Sequence, residues 1–242
     1  MIAQRFGIDV IRFDPRTADE IRLATIMTSL DVEHVIDVGA NVGQFALTAR
    51  GALGFTGRID SFEPGADAFE QLQGQSRLDP GWFVHRLAVT DVSGPVTLNV
   101  FGESDLSSLS LPSEAGREAW KAGWRAKPEV VDGERLDQIS LPALHRVFLK
   151  IDTQGHDWNV IESARGLLDR VVVLMTELSL VTLYETSIPA AEVIRRLDAM
   201  GFTLANLVPV NRVVGKQYLL EADGIFIRRE PGLHSTRSDR AQ

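Results

Sequence analysis

The feature that most constrains this chain is an alternation. Short apolar runs, each stopped by glycine, proline or charge, take turns with stretches of helical periodicity. HVIDVG (His34 to Gly39), RIDSFEP (Arg58 to Pro64), WFVHRLAV (Trp82 to Val89), RVFLKID (Arg146 to Asp152) and RVVVLMTEL (Arg170 to Leu178) read as strands. Between them, NVGQFALTARGAL, ADAFEQLQGQSRL, DWNVIESARGLL and AAEVIRRLDAMG read as helices, the first starting directly after Gly39. Thr17 to Leu30 predicts an amphipathic helix ahead of the core. VTLNVF (Val96 to Phe101) follows the third strand through a turn marked by Asp91, Gly94 and Pro95, and FTLANLVPV with ADGIFIRR predicts a terminal antiparallel hairpin. Such an alternation gives an α/β fold, a mostly parallel sheet with helices on both faces, and its ligands bind at the carboxyl ends of the strands.

The 242 residues are compatible with one large core. The expected division is a helical segment at 1–32, one α/β domain at 33–229, and a polar, disordered tail at 230–242. With 44% hydrophobic and 24% charged residues the composition is that of a soluble globular protein. A net charge of −8, with 25 scattered basic residues, argues against nucleic acid as a partner. The absence of cysteine excludes disulfides, thiolate metal sites and cysteine nucleophiles. MIAQRFGIDVIRFD lacks the pattern of a signal peptide and no run reaches membrane-spanning length, so a cytoplasmic location is expected.

Three strand ends carry chemistry. At the first, Asp37-Val38-Gly39-Ala40-Asn41-Val42-Gly43 places glycines where the chain turns tightly and where a helix starts against the sheet. A nicotinamide fingerprint would need glycine at 39, 41 and 44, but 41 is Asn and 44 is Gln. Glu63 ends the next strand about 20 residues later, where an acid can accept hydrogen bonds from both hydroxyls of a ribose. A nucleoside without a pyrophosphate fits this pattern better than a dinucleotide. The third strand end is FLKIDTQGHDWNVIESA, in which a buried strand carries Lys150 and Asp152.

Taken together, IDVGANVGQF, SFEP and FLKIDTQGHDWNVIESA resemble the FkbM family of S-adenosylmethionine-dependent methyltransferases, in order from about Val35 to Arg228. The resemblance implies the class I methyltransferase fold, a seven-stranded, mostly parallel sheet whose last strand is antiparallel. It implies S-adenosylmethionine as cofactor, with Asp37, Gly39, Asn41 and Gly43 along its methionine part and Glu63 on the ribose. Leu87, Ala88 and Asp91 would then lie near the adenine. SDLSSL (Ser104 to Leu109) is similar to a serine-rich segment of the family. Gln154 replaces a more typical acid, and His156 stands where a small residue is frequent.

The acceptor type shows in the base. Asp-Thr-Gln-Gly stands where amine and nucleobase methyltransferases often carry an Asn/Asp-Pro-Pro-aromatic run, and cytosine C5 chemistry needs a cysteine. A hydroxyl is what survives, and its proton needs a base. Asp152 and His156 are rival candidates. His titrates near pH 6.5 and can act directly, whereas a carboxylate needs raised basicity or a metal. Asp152 and Glu177 could offer oxygens to Mg²⁺, but two acids do not make a metal site.

Plainer roles compete with these. Lys150 can simply neutralise Asp152 or Glu177, His156 can cap a helix, and Trp120 with Trp124 can be a packing stripe rather than an acceptor platform. Tyr184 and His85 read as ordinary core or surface residues. The stretch from Gly102 to Glu129 is the expected acceptor lid. The expected activity is O-methylation of a small molecule, a sugar hydroxyl such as one on a glycolipid, or a secondary metabolite. A nicotinamide-dependent oxidoreductase or epimerase, and a non-catalytic scaffold of the same fold, are the alternatives.

Overall fold

The computed structural model describes residues 15–101, 107–120, 126–143, 145–212 and 218–229. Its elements in order are α1 (Pro15–Ser29), β1 (His34–Val38), α2 (Gln44–Arg50), β2 (Arg58–Phe62), α3 (Ala66–Ser76), β3 (Trp82–His85), β4 (Ala88–Val89), β5 (Gly94–Val100) and α4 (Glu114–Trp120). They continue with β6 (Lys127–Glu134), β7 (Val147–Ile151), α5 (Asp157–Ser163), β8 (Val171–Ser179), α6 (Ala190–Ala199), β9 (Phe202–Arg212) and β10 (Leu219–Arg228).

Seven strands form one sheet in the order β3-β2-β1-β7-β8-β10-β9. Only β10 runs antiparallel to its neighbours, as the class I methyltransferase fold requires. β1 and β7 are buried along their whole length, because helices cover both faces of a parallel sheet. Alternate residues feed two cores. Ile36, Phe62, Leu149 and Leu174 pack under α5 and α6, against Val160, Ile161, Val193 and Leu197. Val35, Ile59, Phe148 and Val173 pack on the other side against Leu23, Met27, Ala46, Ala49 and Leu72. Each of the large apolar side chains fully buried there contributes about 2 kcal/mol over leaving it in water. The sheet is therefore the stiff part, and the loops at its carboxyl edge are built on it. Strand order reverses between β1 and β7, the point where a crevice opens at the strand tips.

Four expectations need correction. WFVHRLAV is two strands in two sheets. β3 pairs with β2 as far as Phe62–His85, and the last ladder bond is donated by the Glu63 N–H to the His85 carbonyl. Pro64 has no N–H to continue it, so the chain leaves and Ala88–Val89 pairs with Gly133–Glu134. Second, β5 and β6, the latter not foreseen, pair antiparallel beside β4 as a separate three-stranded sheet. Third, the helix after β1 starts at Gln44, since Asn41 and Gly43 have φ of 47° and 97°. Fourth, DWNVIESARGLL is α-helical only to Ser163 and turns 3-10 at Arg165–Arg170.

Residues 102–106 and 121–125 of the expected lid, Trp124 among them, and all of the expected tail lie outside the described residues, while Glu114–Trp120 within the lid is helical. Among the described residues no helix is long and apolar enough to cross a membrane.

Candidate active site

A cavity of about 600 Å³ opens at the carboxyl tips of β1, β2, β7 and β8 and extends to the second sheet. That is the size of a site for a nucleoside-sized molecule and a small partner. Gly39, Ala40 and Asn41 line one side, Glu63, Leu87 and Ala88 the next, and Lys150, Asp152, His156, Glu177 and Asp223 the far wall.

The first loop is held by backbone. Gly39 and Ala40 both donate to the Phe62 carbonyl, at 3.1 and 3.0 Å. Gly39 has φ +74°, and a Cβ there would lie 1.8 Å from the Asp152 carbonyl oxygen. Its glycine is thus demanded first by the β7 loop rather than by a ligand. Gly43 serves packing, since a Cβ would meet the Trp82 ring at 2.8 Å. Glu63 is buried, and its carboxylate accepts the Asn41 N–H at 2.9 Å on one oxygen and the Gly65 N–H at 2.8 Å on the other. Burial pushes its pKa up against those two donors.

Asp37 does not line the cavity. It is fully buried beneath it, 3.2 Å from the Lys150 ammonium, and it accepts a bond from Ser61 Oγ, which in turn accepts one from the Trp82 indole. Asp37 and Lys150 are direct neighbours in the β1–β7 register. Lys150 also donates to the Gly39 carbonyl at 3.2 Å and lies 3.6 Å from Asp152. Burial alone would lower its pKa, but Asp37 and Asp152 hold it above the ordinary lysine value. Lys150 is therefore a permanent cation tying both loops together. Its main partner is Asp37, not Asp152 or Glu177.

The β7–α5 loop is folded around Asp157, whose carboxylate accepts the N–H groups of Thr153 at 3.0 Å and Gly155 at 3.1 Å. Burial, then the charge of Asp152, raises Asp157 to about 6. Gln154 adopts φ 54° and bridges outward and inward. Its amide nitrogen donates to Asp152 Oδ1 at 2.9 Å, and its amide oxygen accepts the hydroxyl of the fully buried Tyr184 at 2.7 Å. Ser108 secures the loop through the Gln154 carbonyl at 2.6 Å. Asp152, half-exposed, thus has one oxygen on Gln154 and the other toward Lys150.

His156 stands at the N-terminus of α5, and its side chain makes no capping bond. Nε2 lies 2.9 Å from Thr90 Oγ1, and Thr90 Oγ1 lies 3.2 Å from Asp91 Oδ1. Burial lowers the His156 pKa, and the Asp91 charge opposes this only in part. On the same wall Glu177 and Asp223 sit opposite each other in the β8–β10 register. Burial, with Asp152 next, raises Asp223 to about 7 and Glu177 well above the usual carboxylate range. Among the described residues no group of three or more His, Asp or Glu is placed to hold a metal ion.

Of the residues singled out from sequence, Gly39, Asn41, Glu63, Ala88, Asp152 and His156 come together around one cavity. Asp37, Gly43 and Asp91 stand behind its wall. Sequence reasoning passed over Thr90, the Gln154–Tyr184 bridge and Asp223. Asp223 had a readable signal, an acid beside Glu221 at the head of the apolar run of EADGIFI, the same kind of signal that drew attention to Asp152.

No curated protein sequence matches the chain. A solved methyltransferase FkbM from Methylobacillus flagellatus KT is similar over 80% of this chain and 44% of its own, at 13% identity and TM-score 0.47. The chain thus spans less than half the length of that protein. The magnesium protoporphyrin IX methyltransferase ChlM of Synechocystis PCC 6803, solved with SAH, is similar over 93% of this chain and 92% of its own, at 10% identity and TM-score 0.49. An rRNA methylase from Streptococcus thermophilus is similar over 92% and 100%, at 10% identity and TM-score 0.48. The family model described as the methyltransferase FkbM domain matches residues 37–204, from the buried Asp37 at the end of β1 through α6 and into β9. By that match over most of its length, the chain belongs to the FkbM family of methyltransferases.

Proposed function

We propose that the protein is an S-adenosylmethionine-dependent O-methyltransferase acting on a hydroxyl of a sugar or another small metabolite. The observation that carries the reading is Glu63. Each of its oxygens takes one backbone N–H, and a carboxylate oxygen can accept about two bonds. Capacity for two ribose hydroxyls therefore remains at the cavity wall. Leu87, Ala88, Val89 and Leu98 offer an apolar slot for a base beside it. Gly39, Asn41 and Asp152 offer backbone and carboxylate contacts for an amino-acid moiety on the other side. These residues fit S-adenosylmethionine. When bound, that cofactor supplies a methyl group made electrophilic by its sulfonium.

The chain's own residues must then align the acceptor oxygen and take its proton. His156 suits the second task best. Burial keeps the ring neutral around pH 7, whereas Asp152 is already engaged by Gln154 and Lys150. Asp152 then orients the acceptor or the cofactor. Asp152, Glu177 and Asp223 give this wall oxygens that can hydrogen-bond a polyhydroxylated acceptor, and burial holds Glu177 and Asp223 toward their neutral forms. A glycolipid sugar is compatible with this wall.

The test is incubation with methyl-labelled cofactor and a small-molecule extract, followed by mass identification of the labelled product. An O-methylated small molecule is expected. Label on an amine, an RNA or a protein would overturn the acceptor assignment. Tighter binding of NAD than of S-adenosylhomocysteine would favour an oxidoreductase instead.

A further inference from the structure

His156, proposed above as the base, has two ring nitrogens, and the wall behind it distinguishes them. Thr90 follows β4, is buried, and is fixed by its N–H bond to the Glu134 carbonyl at 3.0 Å. Its hydroxyl has one hydrogen to give and two neighbours, Asp91 Oδ1 at 3.2 Å and His156 Nε2 at 2.9 Å. A carboxylate can only accept. The hydroxyl hydrogen therefore goes to Asp91, and Thr90 Oγ1 is left to accept from His156. Nε2 must then carry the ring proton. In a neutral imidazole the other nitrogen is the basic one, and His156 Nδ1 has no hydrogen-bond partner among the described residues.

We infer that Asp91 and Thr90 are positioning residues that fix His156 in its Nε2–H tautomer and so present Nδ1 to the acceptor hydroxyl. The inference rests on the proposed role of His156. The charged groups around the ring are arranged to allow it. Asp152 is held by Lys150 and Gln154, and Asp157 by the Thr153 and Gly155 N–H groups. Arg135 binds the Asp91 backbone carbonyl at 3.3 Å and gives its fork to Asp137. Glu177 and Asp223 line the same cavity. Asp91 is the charge whose field reaches the ring through the packing.

The experiment is a long-range ¹H–¹⁵N correlation spectrum of the full chain. It holds only five histidines, and His156 is assigned by its loss in His156→Gln. The expected result is a protonated Nε2 and an unprotonated Nδ1, a mixture of tautomers in Thr90→Val, and recovery in Thr90→Ser. Asp91→Asn keeps an acceptor oxygen but removes the charge, so the His156 pKa should fall further. With an acceptor in hand, Thr90→Val should lower kcat about tenfold while S-adenosylhomocysteine affinity stays within twofold. A proton on Nδ1 in the wild type, or a tautomer unchanged by Thr90→Val, would overturn the inference. If the tautomer is as assigned but His156→Gln turns over at the wild-type rate, the tautomer stands and the base assignment fails.

Discussion

Replacing Gly39 by alanine tests how the loops after β1 and β7 are held together, and Gly54 supplies the control. Both have positive φ, +74° and +64°, so alanine at either costs about 1–2 kcal/mol for the left-handed backbone. The surroundings differ. Nothing lies within 4 Å of a Cβ at Gly54, whereas one at Gly39 would sit 1.8 Å from the Asp152 carbonyl oxygen and 2.8 Å from its carbon. Both contacts are with backbone, so no rotamer change relieves them. The Asp152 N–H is also tied to the Val38 carbonyl at 3.0 Å, so the β1 and β7 loops must separate. Overpacking of this kind adds about 1–3 kcal/mol. Gly39→Ala should therefore lose about 2–5 kcal/mol and Gly54→Ala about 1–2. Urea denaturation at constant m measures both, and S-adenosylhomocysteine titration should show weakened binding only in Gly39→Ala. Equal losses in the two variants would show that the loops yield freely and would refute the close-approach argument.

Asp60 is fully buried and accepts from His34, His85 and Arg58. Burial opposes its charge, but these donors outweigh it and hold the carboxyl well below the usual carboxylate range. Its stabilisation is therefore complete above an unfolded value of about 4 and is lost as the pH falls below that. Asp60→Asn should cost about 3 kcal/mol at neutral pH, with the gap to wild type narrowing below about pH 4; a gap independent of pH refutes this. For His156, kcat/KM should fall on the acid side with an apparent pKa below about 6.5. That limb should vanish in His156→Gln with a loss of about 10²–10⁴ in rate. Asp223→Asn, which removes the group near 7, should keep it. A limb that persists in His156→Gln and disappears in Asp152→Asn would make Asp152 the base. Tyr184→Phe leaves the Gln154 amide oxygen without its buried donor and should cost about 1 kcal/mol in urea denaturation, together with slower turnover; a variant indistinguishable from wild type in both removes the bridge from the account.

Some of this was legible in the chain and some was not, for physical reasons. β1, β2, β7 and β8 are buried strands stopped by glycine, proline or charge, and each was readable from its apolar run. β6 was not, because Lys127–Glu134 lies mostly exposed, with only Val131 and Gly133 turned inward. β4 was hidden because two residues pairing with a distant strand look like the end of the strand before them. The acids at strand ends announced themselves as charge inside apolar sequence, but their partners did not. Asp37 meets Lys150, and Glu177 meets Asp223, only through strand register, which exists once the sheet order is known. The Asp91–Thr90–His156 chain likewise joins a loop after β4 to the start of α5, and nothing local in either segment predicts the meeting.

Everything proposed for this protein depends on the cavity at the strand tips binding S-adenosylmethionine through Glu63. Isothermal titration of the wild type and Glu63→Gln with S-adenosylhomocysteine tests it most directly, with NAD as the competing ligand. Saturable binding by the wild type is expected, with binding at least about tenfold weaker (about 1.4 kcal/mol) in Glu63→Gln and no comparable affinity for NAD. Equal affinity in the variant, or NAD bound more tightly than S-adenosylhomocysteine, would contradict it.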